Sequence, residues 1–268
     1  MKDISLGQFF PGNSFLHRLD PRTKLLGLIV FIVFIFLTVN IYSALFVLAV
    51  SLIAVLMTKI PLKIYLKGLK AIWFIVILSA VLNMFYVKGS EDTLLLSVWK
   101  IEIYREGVVR SALIALRIIC MILCSSVLSF TTSPTKLTDA IEALLSPLKI
   151  FKVRVNDLAM MMSIALRFVP TLLEETEKIM NAQKARGADM ESGGMIKKVK
   201  ALIPVLVPLF VSSYRRAYEL AMAMDCRCYT GDNNRTRMNS LRYSLRDFAA
   251  AFLTLIVCGA VPCANFFL

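Results

Sequence analysis

Residues 25–58 read LLGLIVFIVFIFLTVNIYSALFVLAVSLIAVLMT, an uninterrupted run without a charged side chain. One helix needs about 20 apolar residues to cross a bilayer, so a run of this length accommodates two short spans. We place the turn between the two spans at Asn40 and its neighbours. This stretch predicts an integral membrane protein.

The composition of the whole chain supports that class. Hydrophobic residues make up 58% of the 268 residues, and the mean hydropathy is +0.71. A soluble domain has about 45–50% apolar residues, and a core of this size could not bury the excess. The 11 Gly, 9 Pro and 6 Cys exclude a collagen-like chain, a disordered chain and a disulfide scaffold.

Three further runs extend the pattern. They cover residues 71–87, residues 111–135 with Arg117 as the interruption, and residues 248–268. We therefore expect an all-α integral membrane protein with about five transmembrane helices. For Arg117, an ionisable group deep in a span, two interpretations stay open: a functional site, or a side chain that extends to the outer interface.

Charges outside these runs predict the orientation. The chain has 31 Lys and Arg against 18 Asp and Glu, a net charge of +13. In a membrane protein this excess marks cytoplasmic loops, so we expect a cytoplasmic N-terminus, a lipid bilayer as surroundings and no nucleic-acid partner. The predicted organisation is a cytoplasmic segment over 1–24, transmembrane helices 1–4 over 25–135, a cytoplasmic or interfacial domain over 136–247 and a C-terminal transmembrane helix over 248–268.

Two long helical stretches dominate the segment 136–247, roughly over 155–186 and 195–226. The first is amphipathic, and the second holds an uncharged run at 201–214, which is short for a span. Each would be about 45 Å long at about 1.5 Å per residue, which suits an arm that reaches another protein. The alternative is a pair of re-entrant spans. Met161 and Met162 fit either an adaptable partner surface or core packing.

Signatures of catalysis are missing from the sequence. No glycine is followed directly by lysine, which excludes the phosphate-binding loop G-x-x-x-x-G-K-[ST]. The one histidine, His17, argues against a histidine-based zinc site or a Ser/His/Asp triad. Glu174-Glu175 resembles the paired carboxylates of intramembrane CAAX-type proteases, but Ile179 stands where that motif has Arg. We expect no enzymatic activity, metal or cofactor.

Residues 11–24, PGNSFLHRLDPRTK, directly precede the first span. Asp20 can cap a helix whose first residue is Pro21, and Arg22 with Lys24 marks the cytoplasmic edge. Helix capping explains the Asp-Pro pair but not the whole string.

Each long stretch ends in an arginine between small residues. Ala185-Arg186-Gly187 ends the first stretch, and Cys226-Arg227-Cys228 ends the second in the same way. Gly187 is placed to stop the helix, and Arg186 complements the negative end of the helix dipole. Capping alone would explain the first motif, but two arginines on rigid helix ends also suit docking to acidic, carbonyl-rich grooves.

Together these motifs resemble the transmembrane T component (EcfT) of energy-coupling factor transporters, which are ABC-type importers of vitamins and metal ions. The resemblance extends over nearly the whole chain. It is carried by HRLDPRTK at 17–24, MMSIALRFVPTL at 161–172, EET at 174–176, ARG at 185–187, VLVPLF at 205–210 and the second helix end. The N-terminal string is closer to the shared, vitamin-type branch than to the cobalt- or nickel-dedicated branch.

The resemblance implies a bacterial cell-membrane complex of this chain, two cytoplasmic ATPases and one interchangeable substrate-binding subunit. ATP hydrolysis would belong to the ATPases. The segment 136–247 would be a coupling domain that transmits their motion. The implied ATPase-docking residues are Ala185, Arg186, Gly187 and Arg227, and the implied coupling face towards the substrate-binding subunit includes Met161, Met162, Pro170, Pro204 and Pro208.

One departure from the family pattern is the missing glycine at the second helix end. A left-handed turn without glycine costs about 1 kcal/mol, which predicts a differently shaped second docking site or one matched to a particular ATPase. Two other functions compete with this interpretation. A self-contained secondary transporter would need an internal repeat and more intramembrane polar groups, and a membrane enzyme would need catalytic groups.

Overall fold

A computed structural model of the chain describes residues 9–86, 94–98, 101–151, 153–188, 194–230 and 243–267. Residues 1–8 of the predicted N-terminal segment and 231–242 of the predicted coupling domain lie outside the described residues. The chain divides into two compact units, Met1–Ala140 with Ser240–Leu268, and Ile141–Asn239. The domain boundaries derived from the sequence stay a prediction.

Helices dominate the described residues, which confirms the all-α class. The one sheet among them is a two-stranded antiparallel hairpin that pairs Val98 with Ile101, and the sequence did not predict it. The elements in chain order are α1 Phe15–Arg18, α2 Pro21–Phe36, α3 Ile41–Met57, α4 Leu62–Tyr86, β1 Leu94–Val98, β2 Ile101–Tyr104, α5 Arg105–Thr131, α6 Pro134–Leu145, a 3-10 turn Ser146–Phe151, α7 Val155–Ala185, α8 Met195–Asp225 and α9 Leu245–Phe267.

The run that predicts two short spans forms two helices. α2 has 16 residues and α3 has 17, and Asn40 is the N-cap of α3, so the predicted turn is confirmed. Asp20 caps α2 through a bond from the Arg22 amide, with Pro21 as the first helical residue, as the sequence predicts. Both helices are shorter than a full span of about 20 residues because they share one uncharged run.

Among the described residues, α5 and α7 are long and apolar enough to cross a membrane by length and composition. A third span results if Leu62–Lys70 and Ile72–Phe85, bent by 55°, count as one. Of the two helices, α5 is clearly the more apolar. Because α7 also meets the length and composition criteria for a membrane span, its assignment to a coupling domain stays a prediction.

Helix α5 is central in the first unit, where it packs against α2, α3 and α4. Two buried clusters hold these helices together: Ile35, Val47 and Cys120 in one, and Val55, Tyr65, Leu123 and Phe130 in the other. Large apolar side chains such as Phe74 and Phe252 face outward, 73% and 67% exposed. An apolar exterior of this kind fits a lipid environment.

Two cations join α2 and α5, one at each end of α2. Lys24 Nζ donates to the Thr131 carbonyl at the end of α5 (3.1 Å), and Arg117 Nη2 donates to the Thr38 carbonyl just beyond α2 (2.8 Å). The Arg117 guanidinium also lies 5.6 Å from the centre of the Phe36 ring. A cation at a helix C-terminus satisfies free carbonyls and complements the dipole. Arg117 thus has a structural partner at the end of α2.

Replacing Arg117 with Met is expected to lower the free energy of unfolding by about 1.5–3 kcal/mol, the usual contribution of a charged hydrogen bond. Arg110→Met is the matched control, because Arg110 is an exposed residue of the same helix. Denaturant unfolding in detergent measures both variants. Equal losses for the two would show that the Arg117–Thr38 bond contributes nothing of its own.

Candidate docking site at the ends of two long helices

The second unit is built around α7 and α8, each of 31 residues and so about 46 Å long. Their bounds confirm the two predicted helical stretches. Near the end of α7, Gln183 Nε2 donates to the Pro204 carbonyl early in α8 (3.3 Å), and Arg216 Nη2 donates to Glu175 Oε2 (2.9 Å). As residue numbers fall along α7 they rise along α8, so the two helices run antiparallel.

Helix α7 ends in a left-handed turn at glycine. Gly187 has a φ of +86°. Its amide donates to the Lys184 carbonyl (3.0 Å), and the Ala188 amide donates to the Gln183 carbonyl (3.0 Å). This is the Schellman pattern of helix termination, and the predicted stop at Gly187 is confirmed.

Helix α8 ends in the same turn without a glycine. Cys228 has a φ of +58°. Its amide donates to the Asp225 carbonyl (2.9 Å), and the Tyr229 amide donates to the Met224 carbonyl (3.1 Å). The two amides and the two carbonyls of these hydrogen bonds occupy the same positions relative to the left-handed residue as those in the α7 turn. The expectation of a differently shaped second end is therefore wrong for the backbone, because Cys228 adopts the left-handed conformation and completes the same hydrogen bonds.

These turns present the predicted docking residues to solvent. Ala185, Arg186, Gly187 and Arg227 are all exposed, as are the thiols of Cys226 and Cys228. No described residue forms an ion pair with either arginine side chain. Arg186 lies within one turn of Gln183, whereas Arg227 lies about 35 Å along α8 from Pro204, the residue that Gln183 contacts. The antiparallel arrangement places the arginines at opposite ends of the helix pair.

The two turns respond oppositely to exchange of their left-handed residue. Gly187→Ala is expected to destabilise the α7 end by about 1 kcal/mol, because a Cβ there meets open space and the cost is the backbone conformation alone. Cys228→Gly should stabilise the α8 end by about 0.5 kcal/mol. Glycine removes the cost of the left-handed conformation, but part of this gain is offset by the conformational entropy that glycine adds to the unfolded chain. Amide hydrogen exchange in the last turns measures both, and changes of the same sign would contradict the shared geometry.

The predicted coupling-face residues are likewise exposed. They are Met161, Met162, Pro170, Pro204 and Pro208. Sequence reasoning missed a larger feature of α8, an exposed stripe at four-residue spacing. We call this surface the α8 stripe. It consists of Leu206, Phe210, Tyr214, Tyr218 and Met222, whose side chains are between 48% and 73% exposed. The four-residue period was the available signal, since consecutive members lie on adjacent turns and the stripe winds around the helix by only about 40° per member.

The string HRLDPRTK belongs to the first unit and not to the one that carries these helix ends. The Asp20 amide donates to Asp247 Oδ1 (2.7 Å), and the Ser244 amide donates to Asp247 Oδ2 (2.7 Å). Asp247 is 2% exposed and belongs to the first turn of α9. The string therefore connects the start of α2 to the start of α9. Asp247 was missed, although Ser244-x-x-Asp247 has the spacing of a capping box.

The chain is similar to one family model and to several named proteins. The family model CbiQ, described as cobalt transport protein, matches residues 12–238. Proteins named energy-coupling factor transporter transmembrane protein EcfT are similar over nearly the whole chain. That of Clostridium kluyveri is 49% identical, covering 96% of this chain and 95% of its own. That of Ruminiclostridium cellulolyticum is 47% identical, covering 96% of this chain and 95% of its own. That of Thermosediminibacter oceani is 46% identical, covering 97% of this chain and 98% of its own.

The family model matches most of the chain, and the named relatives are close to half identical to it. These two findings establish the family. The chain belongs to the EcfT family, the energy-coupling transmembrane components of energy-coupling factor transporters.

Proposed function

We propose that this chain transmits ATP-driven motion of two cytoplasmic ATPase subunits to a separate substrate-binding membrane subunit, for uptake of a vitamin or other micronutrient. The observation that carries the proposal is the pair of matched helix ends. Arg186 and Arg227 each follow a long helix, each precedes a left-handed residue and each is exposed. Two equivalent helix ends are suited to binding two equivalent ATPase subunits, one at each end.

An arginine suits this role because its guanidinium donates several hydrogen bonds in a fixed geometry. Such a group binds carboxylates and backbone carbonyls with defined orientation. The Schellman turns hold both arginines on long helices, so a force on either end is passed along that helix to the contacts between α7 and α8. ATP hydrolysis belongs to the ATPase subunits in this proposal, and this chain is a non-enzymatic partner.

The substrate-binding subunit would contact the apolar surface of α7 and α8. Met161 and Met162 on α7 and the α8 stripe offer exposed, adaptable apolar side chains. Aromatic and methionine side chains are enriched where proteins form lasting contacts. Pro170, Pro204 and Pro208 would shape this face, since each lies inside an uninterrupted helix.

The proposed location is the bacterial cell membrane, with the N-terminus and the two arginine ends on the cytoplasmic side. The ends must face the cytoplasm if they bind ATPases, because ATP is found there. Basic residues before the first span and in the segment 59–70 support this orientation.

Co-purification from membranes tests the proposal. A tagged native chain, expressed with candidate ATPases and a candidate substrate-binding subunit, should bring down two ATPase copies and one binding subunit. Size-exclusion chromatography with quantitative mass spectrometry gives the stoichiometry. A native chain that is folded yet purifies without any ATPase would refute the coupling role.

A further inference from the structure

An ion pair joins α7 and α8. Glu175 Oε2 accepts from Arg216 Nη2 (2.9 Å), and Glu175 Oε1 accepts from the Ser212 hydroxyl. The two charged side chains are 22% and 37% exposed. Both oxygens of the carboxylate are thus used, each by a donor on the other helix. Two bonds to one carboxylate define its orientation better than a single contact would.

The position of this pair relative to the arginine ends is symmetrical. The spacing from Glu175 to Arg186 equals the spacing from Arg216 to Arg227, and each corresponds to about 16 Å of helix. The Gln183–Pro204 contact is displaced from this centre, since Gln183 lies in the last turn of α7 and Pro204 in the first third of α8. The ion pair is therefore at the midpoint between the two ends, and the amide contact is not.

We propose that the Glu175–Arg216 pair is the pivot on which α7 and α8 turn, an inference that rests on the proposed coupling function. Rotation about a point leaves contacts at that point intact and moves others in proportion to their distance. The ion pair persists while the helix ends move, and the Gln183–Pro204 contact opens. The pair also prevents sliding, because a shift of one helical turn would separate its charges by about 5.4 Å.

The neighbouring residues provide a matched control. Glu174 and Arg215 have the same side chains one position earlier on each helix, and both are exposed. Neither forms an ion pair with any described residue. Charge reversal at 174 and 215 therefore changes the same charges in the same helices without touching the pivot.

The test uses the full complex in proteoliposomes, with the radiolabelled vitamin bound by the reconstituted substrate-binding subunit. Glu175→Arg and Arg216→Glu should each retain both ATPases and their ATP hydrolysis, while uptake falls about tenfold, within the usual range of coupling energies. The exchange of both charges, Glu175→Arg with Arg216→Glu, should restore at least half of the native uptake. The control Glu174→Arg with Arg215→Glu should stay within twofold of native.

Loss of ATPases from the native complex would refute the proposed function and not the pivot alone. With ATPases bound, native uptake in either single variant, or an exchange variant no better than the single variants, would overturn the pivot. If charge reversal prevents assembly, a second variant decides. In the variant Gln183→Cys with Pro204→Cys, a short bis-maleimide should lower uptake about tenfold relative to the same variant without the reagent. The native chain given the reagent controls for reaction at the exposed thiols of Cys226 and Cys228. Unchanged uptake after complete cross-linking would overturn the proposal.

Discussion

Charge reversal at both helix ends, Arg186→Glu with Arg227→Glu, is expected to remove both ATPase subunits from the purified complex. Removing a buried, hydrogen-bonded charge from an interface costs about 2–5 kcal/mol, and opposite charge adds repulsion. A loss of that size weakens each contact by roughly 30-fold to several thousand-fold. Each single variant should retain one ATPase copy, because the two ends lie far apart on separate helices.

The fold should survive these changes. Both turns are held by backbone hydrogen bonds, and both arginine side chains are exposed. Lys178→Glu with Arg215→Glu is the control, since it makes the same change in net charge at exposed positions of the same helices. Quantitative mass spectrometry of the purified complexes counts the ATPase copies. If the control loses ATPases to the same extent, general electrostatic attraction rather than docking of these ends holds the complex.

Replacing Asp247 with Ala is expected to lower the free energy of unfolding by about 2 kcal/mol or more. The Asp20 and Ser244 amides would lose their acceptor. The buried Asp20 donor left unsatisfied costs about 1–3 kcal/mol, and the bond lost at the exposed Ser244 adds about 0.5–1 kcal/mol. Asp247→Asn should lose about half as much, because its one carbonyl oxygen can still accept from one of the two amides. The start of α2 would lose its contact with α9.

Asp157 provides the comparison for Asp247. It also lies in the first turn of a helix, but its nearest cation, Arg154, is 3.8 Å away and its side chain is 27% exposed. Asp157→Ala should therefore cost less than about 1 kcal/mol. Denaturant unfolding in detergent measures both. A loss for Asp247→Ala no larger than that for Asp157→Ala would show that the α2–α9 connection is not important for stability.

Local sequence signals predicted the helices well. Hydropathy and the polar Asn40 placed the break between α2 and α3, and Asp20 with Pro21 placed the start of α2. Gly187 marked the end of α7. Each of these signals acts within a few residues of its effect, so a single sequence contains it.

Contacts between distant residues could not be predicted in the same way. Asp20 and Asp247 are 227 positions apart, and Arg117 and Thr38 are 79 apart. Such pairs depend on how the helices pack, which periodicity does not define. At Cys228 the helix-terminating hydrogen bonds outweigh the conformational preference of a residue with a Cβ. The Glu175–Arg216 pair could not be predicted either, because it also depends on how the helices pack. Both charged residues are evident in the sequence, but their pairing is not.

Uptake by purified components tests the coupling role most directly. Proteoliposomes should receive the native chain alone, or the chain with two ATPases and a substrate-binding subunit, each with ATP inside or outside the vesicle. We predict uptake of the radiolabelled vitamin when all subunits are present and ATP reaches the ATPases, and no uptake by the chain alone. Uptake by the chain alone, without ATP, would show that it is a transporter in its own right and would contradict the coupling role.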